Sequence, residues 1–163
     1  MIKHGACVPV PGLYKATGVY ALATGVLSPQ VLVDPQIRGK QGEQALVAHE
    51  LHHVSDKHAL KFVIWIVITA FLASCTLFLW LARGPLLVPN MTVILMGMSS
   101  VLAGLFIPQL LRLFEIEADK AALAATSPKE FVSFVHMHPH PKGRWGRWLY
   151  GVNTDDRISR VLP

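Results

Sequence analysis

Charged residues are scarce in this chain, and so are cysteines. Only 15% of the 163 residues are Asp, Glu, Lys or Arg, whereas 52% are hydrophobic and the mean hydropathy is +0.43. A soluble domain usually has about 25% charged residues, so this composition indicates a membrane protein. Cys75 falls inside an apolar run and shares no side of a membrane with Cys7. A disulfide is therefore not expected.

The start of the chain lacks the pattern of a secretory signal. Residues 1–30 have no basic start followed by a continuous apolar segment. We therefore expect the first long apolar run to direct membrane insertion.

Two long runs of the sequence contain no charged residue. Residues 62–82 are long enough to span the hydrocarbon core as a helix, and residues 85–111 form a second span. Pro85 and Pro89 are expected in the turn or first turn of the second helix, and Pro108 is expected to kink its end. The pattern predicts a two-span helical hairpin.

Basic residues lie almost entirely outside this hairpin. Of the 15 Lys and Arg residues, 14 precede or follow it, and only Arg83 lies at its tip. Because basic segments stay in the cytoplasm, we expect the flanking regions inside the cell and the tip outside, in an inner or plasma membrane. The net charge of +5 favours contact with anionic membrane lipid and not with nucleic acid.

A five-residue stretch that begins at His49 reads H-E-L-H-H and fits the pattern H-E-x-x-H, after a run of good helix formers. On a helix, His49 and His53 lie on one face and can bind one zinc ion. Glu50 points away from that pair but can reach a water in the open position of the metal, as a general base. His52 and His58 are interpreted as interfacial or hydrogen-bonded histidines.

A second acidic cluster, E-I-E-A-D, follows the second span and begins at Glu115. Two spans joined by a tight turn are antiparallel, so this cluster should emerge beside the H-E-x-x-H helix. We expect Glu115 to be the third zinc ligand, which leaves the fourth position for water. Asp119, one turn later, should accept a hydrogen bond from His49 or His53. The alternative is a solvated helix end, in which these carboxylates only balance neighbouring basic residues.

A short β element precedes the zinc-binding helix. The β-branched run Q-V-L-V at residues 30–33 follows residues 20–25 and predicts a small hairpin or pair of strands. The edge of such a sheet can bind an extended peptide as a further strand. Alternatively, the strands merely cover the helix.

The combination of H-E-L-H-H, two spans and E-I-E-A-D-K-A-A resembles the membrane-embedded zinc metallopeptidases that include HtpX and the CAAX prenyl endopeptidase. A-L-A-T-G at residues 21–25 is similar to the N-A-F-A-T-G segment of that family, although Tyr20 replaces the usual Asn. T-D-D-R-I at residues 154–158 is similar to its H-P-x-x-x-x-R-I ending. The resemblance covers roughly residues 19–162.

The resemblance implies the same metal site as the spacing does, with His49, His53 and Glu115 as ligands and Glu50 as catalytic base. It also implies a histidine that lies next to the metal ligands without binding the metal itself, and His138 and His140 are both candidates. His138, His140 or Arg157 could also stabilise the oxyanion of the transition state. The two spans that this family often carries before H-E-x-x-H are not found, so we expect either a minimal member of the family or a chain that needs a partner, which could be a second copy or another membrane protein.

We therefore predict a mainly α membrane protein, with a two-span transmembrane helical hairpin, a zinc-binding helix pair and a short β hairpin (α+β) on the cytoplasmic side. It forms a single metallopeptidase domain over residues 1–163, with the following parts: a loop and short β element (1–42), the H-E-x-x-H helix (43–60), two spans (62–82 and 85–111), the third-ligand helix (112–125) and a C-terminal cytoplasmic region (127–163).

The predicted function is an integral membrane zinc endopeptidase that binds one Zn²⁺ per chain and hydrolyses peptide or protein substrates. Two alternatives remain open. One is a non-catalytic, zinc-stabilised membrane adaptor, and the other is a metallopeptidase-type signalling component.

Overall fold

Helices dominate the fold, as predicted, and a small sheet accompanies them. The structure is a computed structural model that describes residues 7–17, 19–82, 90–137 and 154–161. In chain order its elements are β1 (Cys7–Pro9), α1 (Leu13–Thr17), β2 (Ala21–Thr24), β3 (Gln30–Val33), a 3-10 helix (Pro35–Ile37), α2 (Glu43–Ser55), α3 (His58–Ala82), α4 (Asn90–Ala125), α5 (Pro128–Met137) and α6 (Thr154–Val161).

The sheet has the strand order β1-β3-β2. β2 and β3 pair antiparallel, with Ala21 opposite Val33, which confirms the predicted hairpin. β1 adds in parallel on the other side of β3, at a place where the sequence predicted a loop. A parallel partner cannot be connected by a tight turn and gives no local sequence signal. β2 therefore lies at an edge of the sheet.

The two apolar helices α3 and α4 pack against each other as a hairpin. Gly97 and Gly104, seven residues apart on α4, face Thr76 and Thr69 on α3; a Cβ at each glycine would meet the threonine methyl group at 3.5 and 4.0 Å. Small residues at this spacing let two helix backbones approach closely along one stripe. Both helices are long and apolar enough to cross a membrane, and most of their apolar residues face outward.

The H-E-x-x-H helix is shorter than predicted, and the predicted third-ligand helix is not separate from the second apolar helix. α2 ends at Ser55 instead of continuing to residue 60, because Lys57 adopts a left-handed conformation (φ 55°) that turns the chain before α3. α4 continues without a break from the second apolar run through Glu115 to Ala125, and Pro108 is buried inside it.

A small apolar core holds the start of α2 between the sheet and α5. Phe131 and Phe134 of α5 are fully buried in it. The carboxylate of Glu130 accepts a hydrogen bond from the backbone N–H of Gly42, the residue that precedes α2. Gly42 has a φ of +95°, and a Cβ there would lie 2.6 Å from the backbone nitrogen of Phe134. These contacts fix the position of α2.

Candidate metal centre

The two histidines of H-E-x-x-H lie one turn apart on α2 and face the same point. Their Nε2 atoms are 3.2 Å apart. The His49 side chain is only 2% exposed and that of His53 is 15% exposed. His49 packs against the ring of Phe134, with ring centroids 5.1 Å apart. Packing therefore holds the first histidine firmly, while the second borders a cleft.

α4 brings Glu115 to the same point. One carboxylate oxygen lies 3.6 Å from His49 Nε2, and the other lies 3.6 Å from His53 Nε2. Ligands of a tetrahedral zinc ion, each about 2.0–2.2 Å from the metal, are roughly 3.3–3.6 Å apart. The three side chains thus have both the chemistry and the spacing of a zinc site with one open position.

Asp119 and Arg157 lie on the side of His49 that faces away from Glu115. His49 Nδ1 lies 3.0 Å from Asp119 Oδ1. Arg157 of α6 contacts the same carboxylate twice, through Nη2 to Oδ1 and through Nε, which donates to Oδ2 at 2.8 Å. The guanidinium also lies 5.0 Å from the ring centre of Phe134 and is 2% exposed. A buried chain of contacts therefore links α6 to the nitrogen of His49 that faces away from Glu115.

The two histidines differ strongly in proton affinity. Burial by itself lowers the pKa of His49, but hydrogen bonds to Asp119 and Glu115 outweigh it and raise the pKa to about 9. Burial and the positive charge of His49 lower the pKa of His53 to about 3. Near neutral pH one proton therefore lies on His49, where a cation would have to displace it.

Glu50 lies beside these donors but turns its carboxylate towards the sheet. It is 6% exposed, and Oε2 accepts a hydrogen bond of 2.6 Å from the backbone N–H of Ala23 in β2. Burial raises its pKa to about 6, although the positive charge of His49 and the Ala23 hydrogen bond both act to lower it. A carboxyl group with a pKa in this range can accept a proton at neutral pH and release it again.

A cleft of about 340 Å³ opens beside the three donor side chains. β2 and the turn after it form one wall. The other wall includes Leu60 and Phe62 near the start of α3 and Leu111 and Phe114 within α4. The backbone N–H of Ala23, which binds Glu50, lies on the edge of β2 that does not pair with β3.

His58, which the sequence analysis did not assign to the site, contacts it directly. Its Nδ1 lies 2.7 Å from Nδ1 of His53, and its ring stacks on Phe114 with centroids 4.1 Å apart. Its interpretation as a hydrogen-bonded histidine agrees with this contact. His58 follows His53 by five positions, which would place the two on different faces of one continuous helix. Only the turn after Ser55 brings them together.

The remaining predicted residues have different positions. Arg157 is bound to Asp119 on the far side of His49 and does not line the cleft. His138 and His140 lie outside the described residues.

The comparisons with known proteins agree with this geometry. Residues 12–144, which are 133 of the 163 residues, match the profile of peptidase family M48. The match includes α2 and the whole of α4, but ends before α6. Neither the curated proteins nor the solved structures include a significant match. Because the family profile covers most of the sequence, the chain belongs to peptidase family M48 and is a zinc metallopeptidase.

Proposed function

We propose that this chain is an integral membrane endopeptidase in which His49, His53 and Glu115 bind one zinc ion and Glu50 is the general base. The observation that carries the proposal is the convergence of three metal-binding side chains at 3.2–3.6 Å from one another, beside a buried carboxylate. An M48 chain with this arrangement has all the groups that zinc-dependent peptide hydrolysis needs.

A bound zinc ion would polarise the scissile carbonyl and lower the pKa of a water molecule towards about 7. Glu50 accepts the proton of the attacking water and then donates it to the leaving amine. Its pKa of about 6 suits both transfers, because the carboxylate is ionised at neutral pH but is still basic. Asp119 accepts a hydrogen bond from the Nδ1–H group of His49, which leaves the Nε2 lone pair available to the metal.

The substrate is proposed to be an extended peptide that pairs with the edge of β2 that faces away from β3, where it would replace Glu50 as the partner of the Ala23 N–H. This edge lies along the cleft, and main-chain hydrogen bonds to it would hold any sequence in an extended conformation. The apolar wall opposite, which includes Phe62 and Leu111, favours apolar side chains next to the scissile bond. Because this wall lies where the uncharged runs of α3 and α4 end, protein segments close to the membrane are the preferred class of substrate.

We further propose that α3 and α4 span an inner or plasma membrane, with the metal centre on the cytoplasmic side. Their outward-facing residues are mostly apolar, and 14 of the 15 basic residues flank the hairpin instead of lying at its tip. Membrane lipid would then surround the hairpin, and the metal centre would lie close to the membrane surface.

The substitution Glu50→Gln tests the chemistry. It is nearly isosteric and removes no proposed ligand, so zinc content should remain that of the wild type. Peptide cleavage should fall by about 10²–10⁴-fold or more, because the amide cannot accept the proton of the water. Zinc is measured by elemental analysis, and cleavage by a panel of peptides and unfolded proteins in lipid nanodiscs.

Two controls complete this experiment. Glu43→Gln changes another carboxylate on α2, one that binds the backbone N–H of Gly39, and should leave cleavage intact. His49→Ala should lose both zinc and cleavage. If the wild type binds zinc but cleaves no member of the panel, a non-catalytic adaptor is the better interpretation. If Glu50→Gln cleaves as fast as the wild type, Glu50 is not the base.

A further inference from the structure

A second group of metal-binding side chains lies beside the candidate centre and shares no residue with it. His52 lies in the last turn of α2, and Asp56 follows this helix directly. His58 is the first residue of α3, and Glu117 lies on α4. One ligand atom from each side chain lies within 4.8 Å of those from the other three. We propose that these four side chains bind a second divalent transition-metal ion.

The turn between α2 and α3 creates this second cluster. Lys57 adopts a left-handed conformation, and the chain then turns back so that the ring of His58 lies 5.5 Å from that of His52. His58 Nε2 is 3.4 Å from Glu117 Oε2 and 3.9 Å from Asp56 Oδ2, and His52 Nε2 is 3.8 Å from the same Asp56 oxygen. The shortest of these separations matches that between neighbouring ligands of one zinc ion, and the other two are a few tenths of an ångström longer.

Two buried ring nitrogens point into the cluster without a hydrogen bond. The His58 side chain is only 3% exposed, and its Nε2 has no hydrogen-bond partner within the described parts of the chain. The same holds for the buried Nε2 of His52. Buried polar atoms in native proteins are normally satisfied, and each exception requires an explanation. A metal ion between the four side chains would satisfy both nitrogens at once.

The donor set indicates the class of ion. Two imidazoles and two carboxylates suit zinc and its first-row neighbours, whereas magnesium and calcium prefer oxygen ligands alone. The side chains of Asp56 and Glu117 are 42% and 53% exposed, so an ion reaches them from solvent without entering the cleft. Lys61 Nζ lies 3.7 Å from Asp56 and competes for that carboxylate.

The two sites are connected through a single hydrogen bond. His53 Nδ1 and His58 Nδ1 are 2.7 Å apart, so one carries the proton and the other accepts it. If His53 binds the catalytic ion through Nε2, it donates its Nδ1 proton to His58, which then keeps its own proton on Nε2. For an ion to bind His58 at Nε2, that proton has to move to Nδ1, where it would face the Nδ1 proton of His53, so the hydrogen bond between the two rings must break. This coupling, unlike the second site itself, rests on the proposed role of His53, and it should make each ion weaken binding of the other.

Metal titration of the purified full chain tests the proposal. The protein in detergent is stripped with a chelator and titrated with Zn²⁺ or Co²⁺ in a calorimeter, and bound metal is then counted by elemental analysis. The wild type should bind two equivalents, with the second at least about tenfold weaker than the first, since its site is more exposed and is opposed by the coupling. His52→Ala and Glu117→Gln should each weaken only the second by about tenfold or more.

Four further variants separate this proposal from its rivals. His136→Ala, an exposed histidine on α5 that binds a backbone carbonyl, should keep both equivalents. Glu115→Ala should lose the first and keep the second, so failure of the catalytic assignment would be visible separately. A wild type that binds a single equivalent would overturn the second site. So would a double variant, His52→Ala with Glu117→Ala, that still binds two. Loss of the first equivalent alone in His58→Ala would mean that His58 only orients His53.

Discussion

Replacement of Asp119 by Asn should lower both the zinc affinity and the free energy of unfolding, because this carboxylate has two buried partners. It faces His49 Nδ1 at 3.0 Å and binds the guanidinium of Arg157 through both oxygens. Loss of the contact to a ligand histidine typically lowers metal affinity about 10–100-fold, or about 1.4–2.7 kcal/mol. Loss of one partner of a buried ion pair typically lowers the free energy of unfolding by about 3–5 kcal/mol, because the other charge stays buried.

The double variant Asp119→Asn with Arg157→Met distinguishes the two effects. It removes both charges, and the methionine can retain the apolar contact with Phe134 where the guanidinium now lies. The free energy of unfolding of the metal-free protein should therefore recover most of its loss. Zinc affinity should stay low, since the negative charge that supports His49 is still missing.

Both quantities can be measured on the same preparations. Denaturant unfolding of chelator-treated protein in detergent gives the stability, and competition with a zinc-binding dye gives the affinity. Asp34→Asn is the matched control, because Asp34 is also fully buried but binds the backbone N–H groups of Tyr14 and Gln36. It should lower stability without a change in zinc affinity. If zinc affinity recovers together with stability in the double variant, Asp119 does not act on the metal through His49.

Two other predictions concern protonation and topology. The pKa of His49 is raised to about 9 in the metal-free protein. The apparent zinc affinity should therefore increase about tenfold per pH unit from pH 6 to 9, and should level off above pH 9, where His49 has lost its proton. An affinity that does not change over this range in a competition assay would contradict this prediction. In a background without Cys7 and Cys75, a cysteine at Gly84 should react with an impermeant reagent from outside, and one at Gly39 only after the membrane is opened. External labelling at Gly39 would reverse the proposed orientation.

The family and its chemistry could be predicted from the sequence. The H-E-x-x-H spacing is local: residues four apart meet on any helix, whatever surrounds it. The apolar runs are equally local, since length and composition alone make them candidates to cross a membrane. Membership of peptidase family M48 is confirmed by the match to residues 12–144. The ligand role of Glu115 remains a prediction, although the structure brings its carboxylate to 3.6 Å from both histidines.

The partner of each histidine could be predicted only in part. Asp119 was expected to support either His49 or His53, and the rotation of α4 relative to α2 decides that it meets His49. Arg157 was a candidate to stabilise the transition state or to support the site from outside, and α6, which packs against α4, places its guanidinium on Asp119. Neither outcome follows from spacing, because the residues belong to different elements and their meeting depends on how these elements pack.

The sequence by itself determined the elements whose signals are local, namely the metal-binding helix, the two apolar helices and the β2–β3 hairpin. Tertiary structure alone decided the end of α2 at Ser55, the addition of β1 and the position of His58. The pattern around His58 is compatible with a helix that continues to residue 60. The chain turns at Lys57, and α3 then packs against α4, a long-range contact that has no local signature in the sequence.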